Sequence, residues 1–201
     1  GLKDVLKMSI SNTFKVKIVL EIAHAMNFIH KNGMMHRDIK VENIMLNEFF
    51  DAKLADFGLV RITESVLDDN YGYAEESMTK GVGDLSYMSP EMAKEEDYTN
   101  KTDVYSFGVV LHFIFTGKLP NQSIKDKLIG KPAVLPSPSE SISSFCIELI
   151  SKCLENSASK RPSFEDILNL IRENSYELAD NINPLILKKR DDELSSFDAK
   201  K

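Results

Sequence analysis

The sequence has few cysteines. Cys146 and Cys153 are the two among 201 residues, and both fall within one predicted helix. Seven residues of helical rise would separate their Cα atoms by about 10.5 Å, which exceeds the roughly 7 Å that a disulfide can bridge. We therefore expect both thiols to be reduced, as is usual for a protein of the cytoplasm.

The sequence also lacks a long apolar run and an excess of positive charge. No window reaches 18 consecutive apolar residues, so direct insertion into a membrane is not expected. The net charge is −6 and the sequence pI is about 5.3, which argues against a nucleic-acid-binding surface. The chain begins with Gly1 rather than with methionine or a signal peptide, so we interpret it as the start of a fragment.

Hydrophobic periodicity predicts a mostly helical chain. Apolar residues at helical spacing indicate helices over residues 13–32, 142–155 and 163–173, and a shorter one near 123–129. Residues 103–117 are apolar nearly all round, which is typical of a buried helix.

The remaining segments divide into one hairpin and two polar stretches. Short strands are predicted at about 43–46 and 52–55. Residues 59–89 are polar and without a clear period, which indicates a long loop, and loops of this length inside a domain are usually functional. Residues 175–201 are predicted to be a polar tail or linker.

Four functional side chains lie within the short segment that precedes the first strand: Arg37, Asp38, Lys40 and Asn43. This spacing suits phosphoryl transfer. The Asp can accept a hydroxyl proton, the Lys can offset charge on the moving phosphoryl group, and the Asn carbonyl can hold a hard cation.

The segment His-Arg-Asp-Ile-Lys-Val-Glu-Asn, residues 36–43, resembles the catalytic loop of eukaryotic protein kinases. Asp56-Phe57-Gly58 follows eighteen residues after Asp38, and Ser89-Pro90-Glu91 stands where that family has Ala-Pro-Glu. Seven specified residues in the first two motifs would recur by chance about once in a billion start points, so the match is specific.

The resemblance implies a protein kinase-like fold of the α+β class. Residues 1–174 would form its mainly α-helical C-terminal lobe with a small β-hairpin. The N-terminal lobe is expected to be missing, because the chain contains no G-x-G-x-x-G loop and no V-A-I-K lysine. Asp-Val-Tyr-Ser-Phe-Gly, residues 103–108, is similar to the tyrosine-kinase-like group, whose members mostly phosphorylate serine and threonine.

The family also implies a role for each residue of the motif, with ATP and Mg2+ as cofactors and a protein serine or threonine as substrate. Asp38 would accept the substrate proton and Lys40 would stabilise the γ-phosphoryl group. Asn43 and Asp56 would hold magnesium, and Met45 would lie under the adenine ring.

Five further positions carry regulatory or structural expectations from the resemblance. Arg37 before the Asp suggests control by phosphorylation of the loop, for which Ser77 and Thr79 are the candidate sites. Arg161 would pair with Glu91 and fix the end of the loop.

Asp103 allows two interpretations from sequence. It could hydrogen-bond the backbone of the catalytic loop, as in the family, or it could simply cap the N-terminus of its helix.

Asp84 departs from the family pattern, in which a Thr occupies this position. A carboxylate there would compete for Lys40 and place a like charge beside Asp38. Two hypotheses therefore remain: an ATP-dependent serine/threonine protein kinase, or a pseudokinase that keeps the fold as an interaction scaffold with impaired transfer.

Overall fold

The centre of the molecule is a helix, α4 (Lys101–Thr116), whose side chains are nearly all buried. It ends at Gly117, whose φ of 70° is the left-handed conformation that glycine adopts at little cost. Gly108 lets a neighbouring helix pack closely, since a Cβ there would lie 2.8 Å from the Cβ of Cys153. This confirms the buried helix that the sequence predicts for residues 103–117.

The computed structural model describes residues 1–62 and 84–198. Around α4 the described chain forms these elements in order: α1 (Leu2–Val5), α2 (Asn12–Lys31), β1 (Met34–Met35), β2 (Ile44–Leu46), β3 (Ala52–Leu54), β4 (Arg61–Ile62), α3 (Pro90–Ala93), α5 (Ile124–Leu128), α6 (Ser144–Cys153), α7 (Phe164–Glu173) and α8 (Pro184–Asp198). The predicted helices and the predicted hairpin are thus present, and the fold is a mainly helical lobe with small sheets. None of the helices in the described part of the chain combines the length and apolar character needed to cross a bilayer.

Two short antiparallel pairs frame the segment between β1 and β2. Strand β2 pairs with β3, Ile44 opposite Leu54. Strand β1 pairs with β4, Met35 opposite Arg61. Strand β4 lies within the predicted loop 59–89, and a strand of two residues is too short to show periodicity. Most of that loop lies outside the described residues.

The C-terminal segment differs from the polar tail or linker expected for residues 175–201. It contains α8, which packs on α2 and buries Leu187. Sequence reasoning missed this helix because its exposed face is strongly charged and few of its residues are apolar. The domain boundary proposed at residue 174 stays a prediction.

A buried carboxylate anchors α8. Asp191 accepts hydrogen bonds from His24 Nε2 at 2.7 Å, Arg172 Nε at 2.8 Å and the Tyr176 hydroxyl at 2.9 Å. Burial alone raises the pKa of Asp191, but the hydrogen bonds from His24, Arg172 and Tyr176 outweigh it and leave the pKa well below its usual range. The folded state therefore holds this carboxyl ionised.

We expect Asp191→Asn to lower the free energy of unfolding at pH 7 by about 2 kcal/mol, the scale of hydrogen bonds to a charged group. Because the folded pKa of Asp191 is depressed, its contribution is complete above the unfolded pKa of about 3.9 and is lost as the pH falls below it. Urea unfolding of wild type and variant should therefore differ at pH 7, and the difference should shrink progressively as the pH falls below about 3.9 toward the lowered folded pKa of Asp191.

The exposed neighbour Asp192 offers a matched control, since Asp192→Asn makes the same chemical change outside this cluster. Equal unfolding curves for Asp191→Asn and Asp192→Asn at pH 7 would show that Asp191 does not anchor α8.

Candidate active site

Asp103 of α4 holds the loop between β1 and β2. Its carboxylate is fully buried and accepts the backbone N–H of His36 at 2.9 Å and of Arg37 at 2.8 Å. His30 Nε2 lies 2.9 Å from the same carboxylate. The helix itself begins after Asn100, so Asp103 does not cap it. Of the two interpretations that the sequence left open, the structure supports the first: Asp103 hydrogen-bonds the backbone of the loop.

Within this loop, Asp38, Lys40 and Asn43 are brought together. Lys40 Nζ lies 2.5 Å from Asp38 Oδ2. Asn43 Nδ2 donates to the same oxygen at 2.8 Å and to the Asp38 carbonyl at 2.9 Å. Asp38 and Asn43 are both buried. One carboxylate oxygen is thus held by two donors, which fixes the orientation of the group.

Asp56 reaches the same end of the β2–β3 hairpin. Asn43 immediately precedes β2, Asp56 follows β3 by two residues, and the carbonyl of Asn43 accepts the N–H of Ala55 at 2.8 Å. Asp56 has a φ of 62°, an uncommon conformation for a residue other than glycine. Its exposed carboxylate accepts the N–H of Gly58 at 3.3 Å. The carboxylate is therefore fixed by its local turn rather than by a bond to Asp38 or Asn43.

His36 contacts residues of both motifs. Its Nδ1 accepts the N–H of Asp38 at 3.4 Å, and its ring packs against that of Phe57, with 5.2 Å between centroids. Burial lowers the pKa of His36, while Asp103, Asp38 and Asp56 all act against this shift through their charge. Asp38 and Asp56 therefore both lie within electrostatic reach of one imidazole. From the sequence, His36 is recognisable only as part of the catalytic-loop motif, and no signal there predicts its contacts with Asp38 and Phe57.

Arg37 extends from the loop toward the segment that follows Asp56. It has a φ of 66°, and its guanidinium donates to the Leu59 carbonyl at 2.5 Å and to the Tyr98 hydroxyl at 3.2 Å. Ser77 and Thr79, the candidate phosphorylation sites, lie outside the described residues. Pairing of Arg37 with a loop phosphate stays a prediction.

Met45 lies on β2 opposite Lys53, and 47% of its surface is exposed. An exposed thioether at this position is available to a flat apolar ligand. Contact with an adenine ring remains a prediction.

Arg161 and Glu91 form the pair that the resemblance implied. Nη1 and Nη2 of Arg161 donate to the two carboxylate oxygens of Glu91 at 2.6 and 2.8 Å, and both residues are buried. Burial raises the pKa of Glu91, but the hydrogen bonds and charge of Arg161 more than offset it, so the pKa lies below its usual value. The pair ties α3 to the turn before α7.

The sequence suggested that Asp84 would compete for Lys40, and this expectation is wrong. Its carboxylate accepts the N–H of Ser86 at 2.8 Å, whereas Lys40 contacts Asp38. Asp84 and Asp38 do line one small cleft. The physical reason is that a short Asp side chain can accept a hydrogen bond from the backbone N–H two residues further on.

The oxygen donors suit a magnesium-nucleotide ligand. Within residues 1–62 and 84–198 there is no group of three or more His, Cys, Asp or Glu side chains that could hold a metal by themselves. Mg2+ is commonly bound by one or two carboxylates and completed by phosphates and water. The amide oxygen of Asn43 and the carboxylate of Asp56 stay the predicted members of such an incomplete set.

Comparison with known proteins gives a consistent result. The chain is 36% identical over 161 residues to a probable serine/threonine-protein kinase of Dictyostelium discoideum, covering 78% of this chain and 17% of that protein. It is 34% identical over 167 residues to the serine/threonine/tyrosine-protein kinase HT1 of Arabidopsis thaliana, covering 81% and 40%. It thus spans less than half the length of either relative. The model of the protein kinase domain matches residues 1–170, and the chain accordingly belongs to the protein kinase domain family.

Proposed function

We propose that this chain is the catalytic lobe of an ATP-dependent serine/threonine protein kinase, which transfers the γ-phosphoryl group of Mg-ATP to a protein hydroxyl. The observation that carries the proposal is the orientation of the Asp38 carboxylate by Lys40 and Asn43. A carboxylate held in this way can receive the proton of a serine or threonine hydroxyl.

Each residue of the cluster has a chemical task in this proposal. Asp38 orients the acceptor hydroxyl and takes its proton. Lys40 places a positive charge beside the site of transfer, and Asn43 and Asp56 present oxygens to a cation. When bound, Mg-ATP supplies the phosphoryl group and neutralises part of its charge.

Three further features support the choice of substrate and location. Lys40 stands two residues after Asp38, as is usual for serine/threonine kinases. The relatives' names include serine/threonine kinases and the dual specificity protein kinase pyk3 of Dictyostelium discoideum. Cys146 and Cys153 are free and buried, which fits our proposal that the protein works in the cytoplasm. The glycine-rich loop and its lysine would come from sequence outside these 201 residues.

The proposal is tested by assaying transfer of labelled phosphate from Mg-ATP to a generic serine/threonine protein substrate. The full-length protein is used, with Asp38→Asn as the control. Transfer by the wild type that depends on Asp38 supports a kinase. Nucleotide binding without transfer would instead favour the pseudokinase alternative.

The 201-residue chain alone is expected to bind ATP with a dissociation constant above about 1 mM. It offers Asn43, Asp56 and Met45 to the nucleotide but contains no glycine-rich phosphate loop. Isothermal calorimetry with Mg-ATP checks this, with the full-length protein as the positive control. A micromolar constant for the chain alone would contradict the expectation.

A further inference from the structure

Lys127 of α5 is a buried lysine whose ammonium group contacts backbone carbonyls. Only 1% of its surface is exposed. Its Nζ donates to the carbonyl of Leu85 at 2.9 Å, of Ser86 at 3.0 Å and of Met88 at 2.7 Å. An ammonium group has three donors, and each of them has an acceptor here.

These carbonyls belong to a segment without regular structure, residues 84–88. The two remaining carbonyls are also hydrogen-bonded: Asp84 O accepts the N–H of Tyr87 at 2.9 Å, and Tyr87 O accepts the hydroxyl of Ser106 at 2.9 Å. Lys127 and Ser106 thus donate to these carbonyls the hydrogen bonds that backbone N–H groups would donate in a helix or strand. The conformation of the segment therefore depends on these two side chains.

The segment borders the catalytic carboxylate. Asp84, Tyr87 and Met88 line one cleft together with Arg37 and Asp38. A protein substrate whose hydroxyl reaches Asp38 would have its neighbouring residues against this segment. A displacement of the segment would change how the substrate fits. It would change the position of Asp38 less, because Lys40 and Asn43 of its own loop hold that carboxylate.

Burying a lysine in this position is costly, and the contacts compensate for it. Burial lowers the pKa of Lys127 to about 8, with the charge of Asp84 opposing the shift. The ring of Tyr105 lies 5.3 Å from Nζ, at a distance where an aromatic face attracts a cation. A hydrophobic side chain would fill this space without the cost of burying a charge. What lysine adds over such a side chain is its three hydrogen bonds to the carbonyls.

We propose that Lys127 is a positioning residue for recognition of the protein substrate: it holds residues 84–88 in the shape that receives the substrate beside Asp38. This inference rests on the proposed kinase function. It goes beyond that function by assigning substrate positioning to a side chain outside the catalytic loop.

The test compares Lys127→Met with Lys127→Arg in the full-length protein. Methionine keeps the length of the side chain and removes all three donors, whereas arginine keeps the charge. Lys125→Met makes the same chemical change at an exposed position of the same helix and is the control. Ser106→Ala, which within residues 84–88 frees only the Tyr87 carbonyl and otherwise removes a longer bond to the Thr102 carbonyl of α4, is a milder second variant should Lys127→Met fold poorly.

We expect Lys127→Met to raise KM for the protein substrate by about tenfold or more, while KM for ATP and kcat change less than about threefold. Lys127→Arg should recover part of the loss, Ser106→Ala should show a smaller effect in the same direction, and Lys125→Met should show none. If kcat/KM fell equally for ATP and for the protein substrate, in proportion to the folded fraction, the role of Lys127 would be merely structural and the proposal would be overturned.

Hydrogen exchange separates this inference from the proposed function. The amides of Ser86 and Tyr87 are hydrogen-bonded within the segment, so Lys127→Met should speed their exchange while leaving α4 protected. Unchanged exchange would overturn the positioning role whatever the activity. Faster exchange in a protein that transfers no phosphate would show that Lys127 holds the segment but that the proposed kinase function is wrong. The role of Lys127 in substrate recognition would then be wrong as well.

Discussion

Replacing Asp38 with asparagine is expected to lower kcat for phosphotransfer by about 10²- to 10⁴-fold, the usual contribution of a positioned general base. Asparagine has the same shape but cannot take a proton. The carboxylate it replaces is held by Lys40 and Asn43, so the loss should fall on kcat, whereas KM for ATP should change little. Steady-state kinetics of the full-length protein on a serine/threonine substrate measures both.

A suitable control is Asp192→Asn, which removes one exposed carboxylate on α8. Comparable melting temperatures for the Asp38 variant and the wild type exclude unfolding as the cause. Retention of more than about a tenth of wild-type kcat by Asp38→Asn would be incompatible with the role proposed for this carboxylate.

The largest effect on stability is expected for Arg161→Met, which should lower the free energy of unfolding by about 3–5 kcal/mol. Arg161 is 2% exposed, and besides Glu91 its guanidinium donates to the carbonyls of Glu155 at 2.7 Å and Lys101 at 2.9 Å. Methionine fills much of the volume but leaves a buried carboxylate and these carbonyls without their donor. Urea unfolding of the 201-residue chain followed by circular dichroism measures the change.

The pair itself can be tested by a double-mutant cycle. Replacing both Glu91 and Arg161 with methionine removes the stranded charge, so the double variant should be more stable than the sum of the single changes predicts. The exposed neighbour Lys160→Met is the control and should lie within about 0.5 kcal/mol of the wild type. A loss of unfolding free energy below about 1 kcal/mol for Arg161→Met would show that the buried pair does not hold α3 in place.

The parts of the site that the sequence predicts are those encoded by neighbouring residues. Asp38, Lys40 and Asn43 lie within six positions, and the hairpin that follows brings Asp56 to the same end. The apolar character of residues 103–117 likewise predicts burial without any knowledge of the partners. Local motifs of this kind identify the family and the fold class because their information does not depend on distant contacts.

Other features depend on contacts across the chain and could not be predicted in this way. Asp84 was expected to compete for Lys40, and only the fold shows that it bonds the backbone of Ser86. The helix α8 is polar in sequence, and its packing against the domain depends on the partners of Asp191 on α2 and α7.

The sequence alone determined that this chain is the helical lobe of a protein kinase domain, since the motif residues are close together and their order is specific. The tertiary structure decided between the two interpretations of Asp103 and showed Lys127 against residues 84–88, whereas the pair of Arg161 and Glu91 was already implied by the family resemblance. The physical reason is that Asp103 and Lys127 bind backbone groups of residues far away in the sequence. Backbone groups are the same in every residue, so the sequence of the segment that is held carries no signal of the contact.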